Sequence, residues 1–306
     1  MTFGAASVST TQPTGRSILF VHAHPDDETI GNGATMAKYA AEGARVTLVT
    51  CTLGEEGEVL VPELEQLGAA HDDELGPHRE KELAAAMAVL GVTDHRFLGG
   101  AGRYRDSGMM GLATNDRPDA FWRADLLEAS SEVCGVIRAV RPQVLVTYDQ
   151  NGEYGHPDHI QAHRVATYGA ALAAAASFRP DLGPAWDVPK IYWTAMPRSM
   201  LEKGLEQAAT MGKTALFGVE SADDVPWVVD DELITTHIDG RDLEPVKMAA
   251  LREHRSQVDP SGPFFEMAEV IGPDAFGREF YSIAKGEPGP HRDEDGWETD
   301  LFDGLG

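Results

Sequence analysis

The chain has 306 residues, with 25 Lys and Arg against 50 Asp and Glu, and a formal net charge of −25 at pH 7. Nucleic-acid binding and attachment to an anionic membrane surface both need a cationic face, so neither class is expected. The length allows one large or two modest domains, and a hydrophobic content of 42% is enough for a core, which makes a globular protein the default.

Residues 1–15 lack the charged-then-apolar order of a leader peptide, and no stretch approaches the ~20 apolar residues of a membrane span, so a cytoplasmic protein is expected. The apolar run Ser17–His22 reads as a buried strand. A helix over 28–42 closed by Gly43 and a strand over 45–50 complete a βαβ unit. The pattern repeats as a helix over 79–90, a strand over 96–98, a helix over 120–140 and a strand over 144–148. Small residues dominate the next helix, 159–176, after which Pro180, Gly183, Pro184 and Pro189 break the regularity. Beyond the break, 190–195 and 233–238 read as strands and 243–254 as a helix. The alternation predicts an α/β fold, a Rossmann-like, mostly parallel sheet with helices on both faces, over 16–185. A smaller C-terminal α/β subdomain over 186–306 is expected to complete the pocket.

The acid is unevenly spread, with −20 of the −25 lying in residues 53–76, 219–232 and 286–306. The ordinary reading of such segments is solvated loops and helix faces, although the first begins directly after a strand and could reach a pocket rim. Cys51 and Cys134 are far apart and outside any Cys-x-x-Cys pattern, so they are expected to pack as small apolar residues.

In an open α/β sheet, ligands bind where strands end and helices begin. Two such loops pair imidazoles with carboxylates beside a proline: His22-Ala-His24-Pro25-Asp26-Asp27-Glu28 and Tyr154-Gly155-His156-Pro157-Asp158-His159. The prolines favour extended backbone at His24 and His156. His24, Asp27 and His159 would supply the three N and O donors of a catalytic zinc, leaving Asp26 free as general base. His156 could protonate a leaving amine as an imidazolium with Asp158 holding its ring, and Tyr154 could donate to an oxyanion. Taken singly, a His after a strand is usually a satisfied polar residue, and acids at a helix start are usually caps. Their convergence at two sheet-end loops reverses that balance. His22 is expected to be core or to back up a ligand, and His163 to be structural. The Gly-x-Gly-x-x-Gly, Gly-Lys-Ser/Thr, His-Glu-x-x-His and Gly-x-Ser-x-Gly signatures are missing, which weighs against a nicotinamide oxidoreductase among others.

These runs resemble the LmbE-like (PIG-L) family of zinc-dependent N-acetylglucosamine deacetylases. Similarity to the mycothiol branch extends through 50–58, 99–109, 146–149 and 296–301. The resemblance implies zinc, with iron(II) as the alternative ion, on His24, Asp27 and His159. It further implies Asp26 as base, His156 as acid, Tyr154 on the amide carbonyl, and Arg79 and Asp106 on sugar hydroxyls. From residue type alone, Arg79 would be a helix-surface residue and Asp106 a turn former. The implied substrate is a small N-acetylglucosaminyl-inositol, and the sequence is silent on oligomeric state. A sister branch cleaves mycothiol S-conjugates and tends to carry Pro where Gly155 stands. A metal-dependent sugar-binding protein without turnover is the alternative from another class.

Overall fold

The two-residue period of the first strand divides the core. In the computed structural model, β1 (Ser17–His22) sends Leu19 and Val21 to one face of the sheet and Ile18 and Phe20 to the other. The structure describes residues 15–210, 212, 219–260, 262, 264–265, 268, 272–274 and 276–305. The stretch read as lacking a leader lies, up to residue 14, outside them.

Five strands run in parallel in the order β3 (Asp94–Phe97), β2 (Arg45–Thr50), β1, β4 (Val144–Thr147) and β5 (Lys190–Pro197). Ile18 and Phe20 pack with Met36 and Tyr39 of α1 (Asp27–Ala41) and with Leu83 and Met87 of α2 (Leu75–Leu90). Leu19 and Val21 pack with Val133 and Ile137 of α3 (Leu126–Val140) and with Val165 of α4 (Pro157–Ala174). Helices therefore cover both faces, as the βα alternation predicts. The small residues of α4 also admit α3 closely: a methyl group at Gly169 would come within 2.7 Å of Val133. Cys51 and Cys134 are buried and unpaired within this core.

The C-terminal third adds α5 (Arg198–Thr210), β6 (Val228–Val229), β7 (Thr236–Asp239), α6 (Glu244–Glu253) and β8 (Arg278–Lys285). β8 pairs antiparallel with β5 and with β7, and β6 pairs with the end of β5, so one eight-stranded sheet runs through both halves of the chain. Ala250 of α6 joins the core on the face of α1 and α2. The final segment is pinned by Glu298, fully buried, which accepts from Lys190 Nζ at 2.6 Å, Tyr192 Oη at 2.6 Å, Thr236 Oγ1 at 2.8 Å and the Gly289 amide at 2.7 Å. This acid is structural rather than solvated.

Some departures from the sequence reading have local reasons. The helix expected from 120 starts only at Leu126, because Asp125 caps it by accepting the Glu128 amide at 2.9 Å, and Phe121–Arg123 forms a separate 3-10 turn. α4 starts earlier than 159, with Pro157 at its first position, where a missing N–H costs nothing. β8 escapes a hydrophobic pattern because it carries Arg278, Glu279 and Lys285; Glu279 is buried against Lys247 Nζ at 2.7 Å and the Thr35 amide at 2.8 Å.

Candidate metal centre and active site

Strand order reverses at β1, which has β2 on one side and β4 on the other. Loops leaving the ends of β1 and β4 therefore open onto the same crevice. They are the two loops that carry the imidazoles and carboxylates.

Asp27 opens α1, and its carboxylate is the meeting point of the predicted ligands. Oδ2 lies 3.3 Å from His24 Nδ1, and Oδ1 lies 3.4 Å from His159 Nε2. Oδ2 also accepts the His24 amide at 2.8 Å and the Tyr148 hydroxyl at 2.8 Å. That hydroxyl in turn accepts the Ala23 amide at 2.9 Å, and the Tyr148 ring stacks on His159 at 4.2 Å. Tyr148 thus ties the first loop to the second. It escaped the sequence reading, which saw only a strand-end aromatic.

On its other side His24 Nε2 lies 3.2 Å from Asp158 Oδ2 and 3.6 Å from Asp106 Oδ1. An imidazole held between carboxylates on both nitrogens has its tautomer and ring plane fixed, as the imidazoles of metal sites do. The Asp158 carboxylate, expected to hold His156, therefore holds His24 instead, with the Ser107 amide at 2.9 Å as a further donor. His156 is oriented by the Asp158 backbone: its Nδ1 accepts the Asp158 amide at 3.1 Å, and its ψ of 132° is the extended value imposed by Pro157.

Asp26 bridges the loop and the helix with φ 124°, a conformation rare for any residue but glycine. Its Oδ2 accepts from Arg79 Nη2 at 3.1 Å. Arg79 is buried rather than on the helix surface, donating also to Gly54 O at 2.7 Å and to Pro25 O. Asp106 is likewise buried, accepting the Gly108 amide at 2.8 Å and the Glu56 amide at 3.2 Å. Its own amide donates to Glu55 at 3.0 Å, so the first acidic segment does reach the site. Tyr154, 40% exposed, lies over the opening with its hydroxyl 3.3 Å from His159 Nε2. His22 bonds to Asn32 at 2.9 Å in the core, and His163 Nδ1 to Tyr148 O at 3.0 Å, matching the structural readings of both.

Electrostatics separates these groups. Burial pushes the Asp26 carboxyl up to about 6, against the pull of Arg79. Burial and the neighbouring His24 and His159 rings push His156 down to about 3, and because its Nδ1 accepts the Asp158 amide, Nε2 is the nitrogen left to carry a proton. Burial also raises Tyr154, which keeps its hydroxyl a donor. His24 is held well above the ordinary histidine value: burial opposes its charge, but Asp106, Asp158 and Asp27 outweigh it. A cluster that draws a proton onto a buried imidazole carries excess negative charge that a cation would balance.

The donor set fits such a cation. Ligating atoms of His24, His156 and His159 lie within 4.8 Å of one another, as do those of His24, Asp106 and Asp158. Asp27 sits between His24 and His159, with one carboxylate oxygen turned to a nitrogen of each. Imidazole nitrogens and carboxylate oxygens suit a borderline divalent ion.

Residues 19–170 match the family described as GlcNAc-PI de-N-acetylase, PIG-L. The chain is 58% identical, over 95% of its length and 98% of the relative's, to a 1D-myo-inositol 2-acetamido-2-deoxy-alpha-D-glucopyranoside deacetylase of Geodermatophilus obscurus. It is 55% identical, over 95% and 90%, to a Streptomyces scabiei protein of the same name. Among solved structures, it is similar to the N,N'-diacetylchitobiose deacetylase of Pyrococcus horikoshii, with a TM-score of 0.59 and 21% identity over 89% of this chain and 84% of that one. A 4-carboxy-2-hydroxymuconate hydratase of Pseudomonas putida shares the fold at TM-score 0.57 and 19% identity, over 91% of this chain and 100% of that one. The fold by itself therefore does not choose the reaction.

Proposed function

The chain belongs to the GlcNAc-PI de-N-acetylase family, and from that premise we propose that it removes the acetyl group of 1D-myo-inositol 2-acetamido-2-deoxy-α-D-glucopyranoside. The products are acetate and glucosaminyl-inositol, a step of mycothiol biosynthesis. The observation that carries this reading is end-to-end similarity at 58% identity to a relative of that name.

His24, Asp27 and His159 would hold zinc, or iron(II), which when bound supplies Lewis acidity at the acetamide carbonyl. Asp26, raised to about 6 and fixed by Arg79, takes the proton of the attacking water. Tyr154 donates its hydroxyl to the oxyanion of the tetrahedral intermediate. His156 protonates the departing nitrogen. Its depressed pKa supports a second proton path, in which Asp26 returns to the nitrogen the proton it has just taken. An activated anilide, whose nitrogen leaves with little protonation, separates the paths: it rescues His156→Ala only if His156 is the acid. Contact of Arg79 and Asp106 with sugar hydroxyls rests on their place beside Asp26 and His24.

Gly155 supports the deacetylase branch. Its φ of +86° is closed to proline, which is locked near −65°, so a loop carrying Pro there must take another path. Among the described residues no helix is long and apolar enough to cross a membrane. The test compares acetate release from the inositol glycoside with amine release from a mycothiol S-conjugate. Preference for the conjugate would move the chain to the amidase branch, and near-wild-type turnover by metal-stripped His159→Ala would overturn the ligand assignment.

A further inference from the structure

We infer that Glu28 and His254 are positioning residues for the base, a pair that holds the Asp26 backbone in the conformation from which its carboxylate works; the inference rests on the role of Asp26 proposed above. The φ of Asp26 is costly for a residue with a Cβ and persists only if the surroundings impose it. Its side chain makes no helix-capping bond. What holds it is Glu28, whose Oε2 accepts the Asp26 amide at 2.9 Å.

Glu28 is itself immobilised. Oε1 accepts from His254 Nε2 at 2.9 Å and from Thr29 Oγ1 at 2.6 Å, and both Glu28 and His254 are fully buried. His254 closes the C-terminal end of α6, and the residues after it are clamped to α2: Ser256 donates its amide at 2.8 Å and its hydroxyl at 2.6 Å to Glu82, one turn beyond Arg79. The Ser256 carbonyl accepts the Leu60 amide at 3.0 Å. Asp26 is thus gripped at its amide by Glu28 and at its carboxylate by Arg79, with the C-terminal third behind the first grip and α2 behind the second. Neither Glu28 nor His254 contacts a predicted ligand through its side chain, so their effect on catalysis passes through Asp26.

The experiment is a double-mutant cycle on the full-length, zinc-loaded protein, with acetate release normalised to bound metal. Glu28→Ala is expected to lower kcat by about 10²-fold, the effect of misplacing a reacting group by about 1 Å, with KM changed less than about twofold and metal content unchanged. Glu28→Gln, which can still accept the Asp26 amide and bond to His254, recovers most of the loss. In an Asp26→Asn background, Glu28→Ala has no further effect, because the group it positions is no longer a base. Additive losses in the two backgrounds, loss of metal in place of kcat, or unchanged kcat in Glu28→Ala would each overturn the inference. Should Glu28→Ala fail to fold, Glu28→Leu fills the volume and leaves His254 neutral, with the same outcomes expected. Absence of acetate release by the wild type overturns the functional reading and this inference with it; wild-type turnover that Glu28→Ala retains overturns the inference alone.

Discussion

Tyr148→Phe deletes one buried oxygen and thereby tests how the ligand loop is held. The ring stays, so its stacking on His159 and its place in the core are kept. Two bonds go: the hydroxyl no longer donates to Asp27 Oδ2 at 2.8 Å, and the Ala23 amide at 2.9 Å loses its acceptor. A stranded buried N–H costs about 1–3 kcal/mol and a hydrogen bond to a charged group contributes about 1.5–3. Asp27 keeps the His24 amide as a donor, so the net loss is set at about 2–3 kcal/mol. With an unfolding entropy of about 2.1 cal/mol/K per residue, that is a fall in Tm of about 4 °C. Loss of a partner that orients a ligand weakens metal binding about 10–100-fold. Chelator competition gives the affinity, and thermal unfolding with and without chelator gives the stability. Asp26→Asn is the control, since it removes a neighbouring carboxylate that orients no ligand, and its metal affinity should match the wild type. A Tyr148→Phe protein with wild-type metal affinity and Tm would refute the tether.

Gly155→Ala places a Cβ at φ +86° and should cost about 1–2 kcal/mol, with kcat falling more than KM rises because Tyr154 and His156 flank the strained position; steady-state kinetics at saturating zinc reads the split, and unchanged kcat would refute it. Glu298→Ala leaves the Lys190 ammonium buried without a counter-ion, which should remove about 3–5 kcal/mol of stability, read by denaturant unfolding, while kcat below the transition stays near wild type. Burial alone would lower the His254 pKa, but Glu28 and more distant Asp26 raise it above the unfolded value of ~6.5. The stability it contributes is therefore complete below that pH and is lost as pH rises through the folded value. His254→Gln should flatten the fall in Tm above pH 6.5, and an unaltered slope would count against the pairing.

The parallel sheet and both loops of imidazoles and carboxylates were legible because short apolar strands and a His-Pro-Asp-Asp turn leave local signatures. Convergence of His24, Asp27 and His159 was readable from fold rules alone, since loops after adjacent strands at a switch point must meet. What stayed hidden depends on distance in the chain. Glu279 in β8 looks too polar for a buried strand until Lys247 stands beside it. Arg79 resembles a solvated helix residue until two loop carbonyls and Asp26 close around it. Asp158 was matched to the nearer imidazole, whereas its carboxylate reaches back 134 residues to His24. The surroundings of His156 were hidden for a related reason: sequence shows one histidine near a carboxylate, but not the two other imidazoles that crowd it.

The grip on the Asp26 loop also has an order in time. Glu28 and His254 stand 226 residues apart, and Lys190 and Glu298 108 apart. At a synthesis rate of about 5–20 residues per second, the first acid loop leaves the ribosome about 10–50 s ahead of its counter-charge. During that interval Arg79, only 53 residues beyond Asp26, can already meet the Asp26 carboxylate, but Glu28 stands without His254, and a metal captured then would meet a loop without its final backbone. The final geometry of this loop therefore belongs to the nearly finished polypeptide, with the arrival of α6 and the residues after it as the closing event.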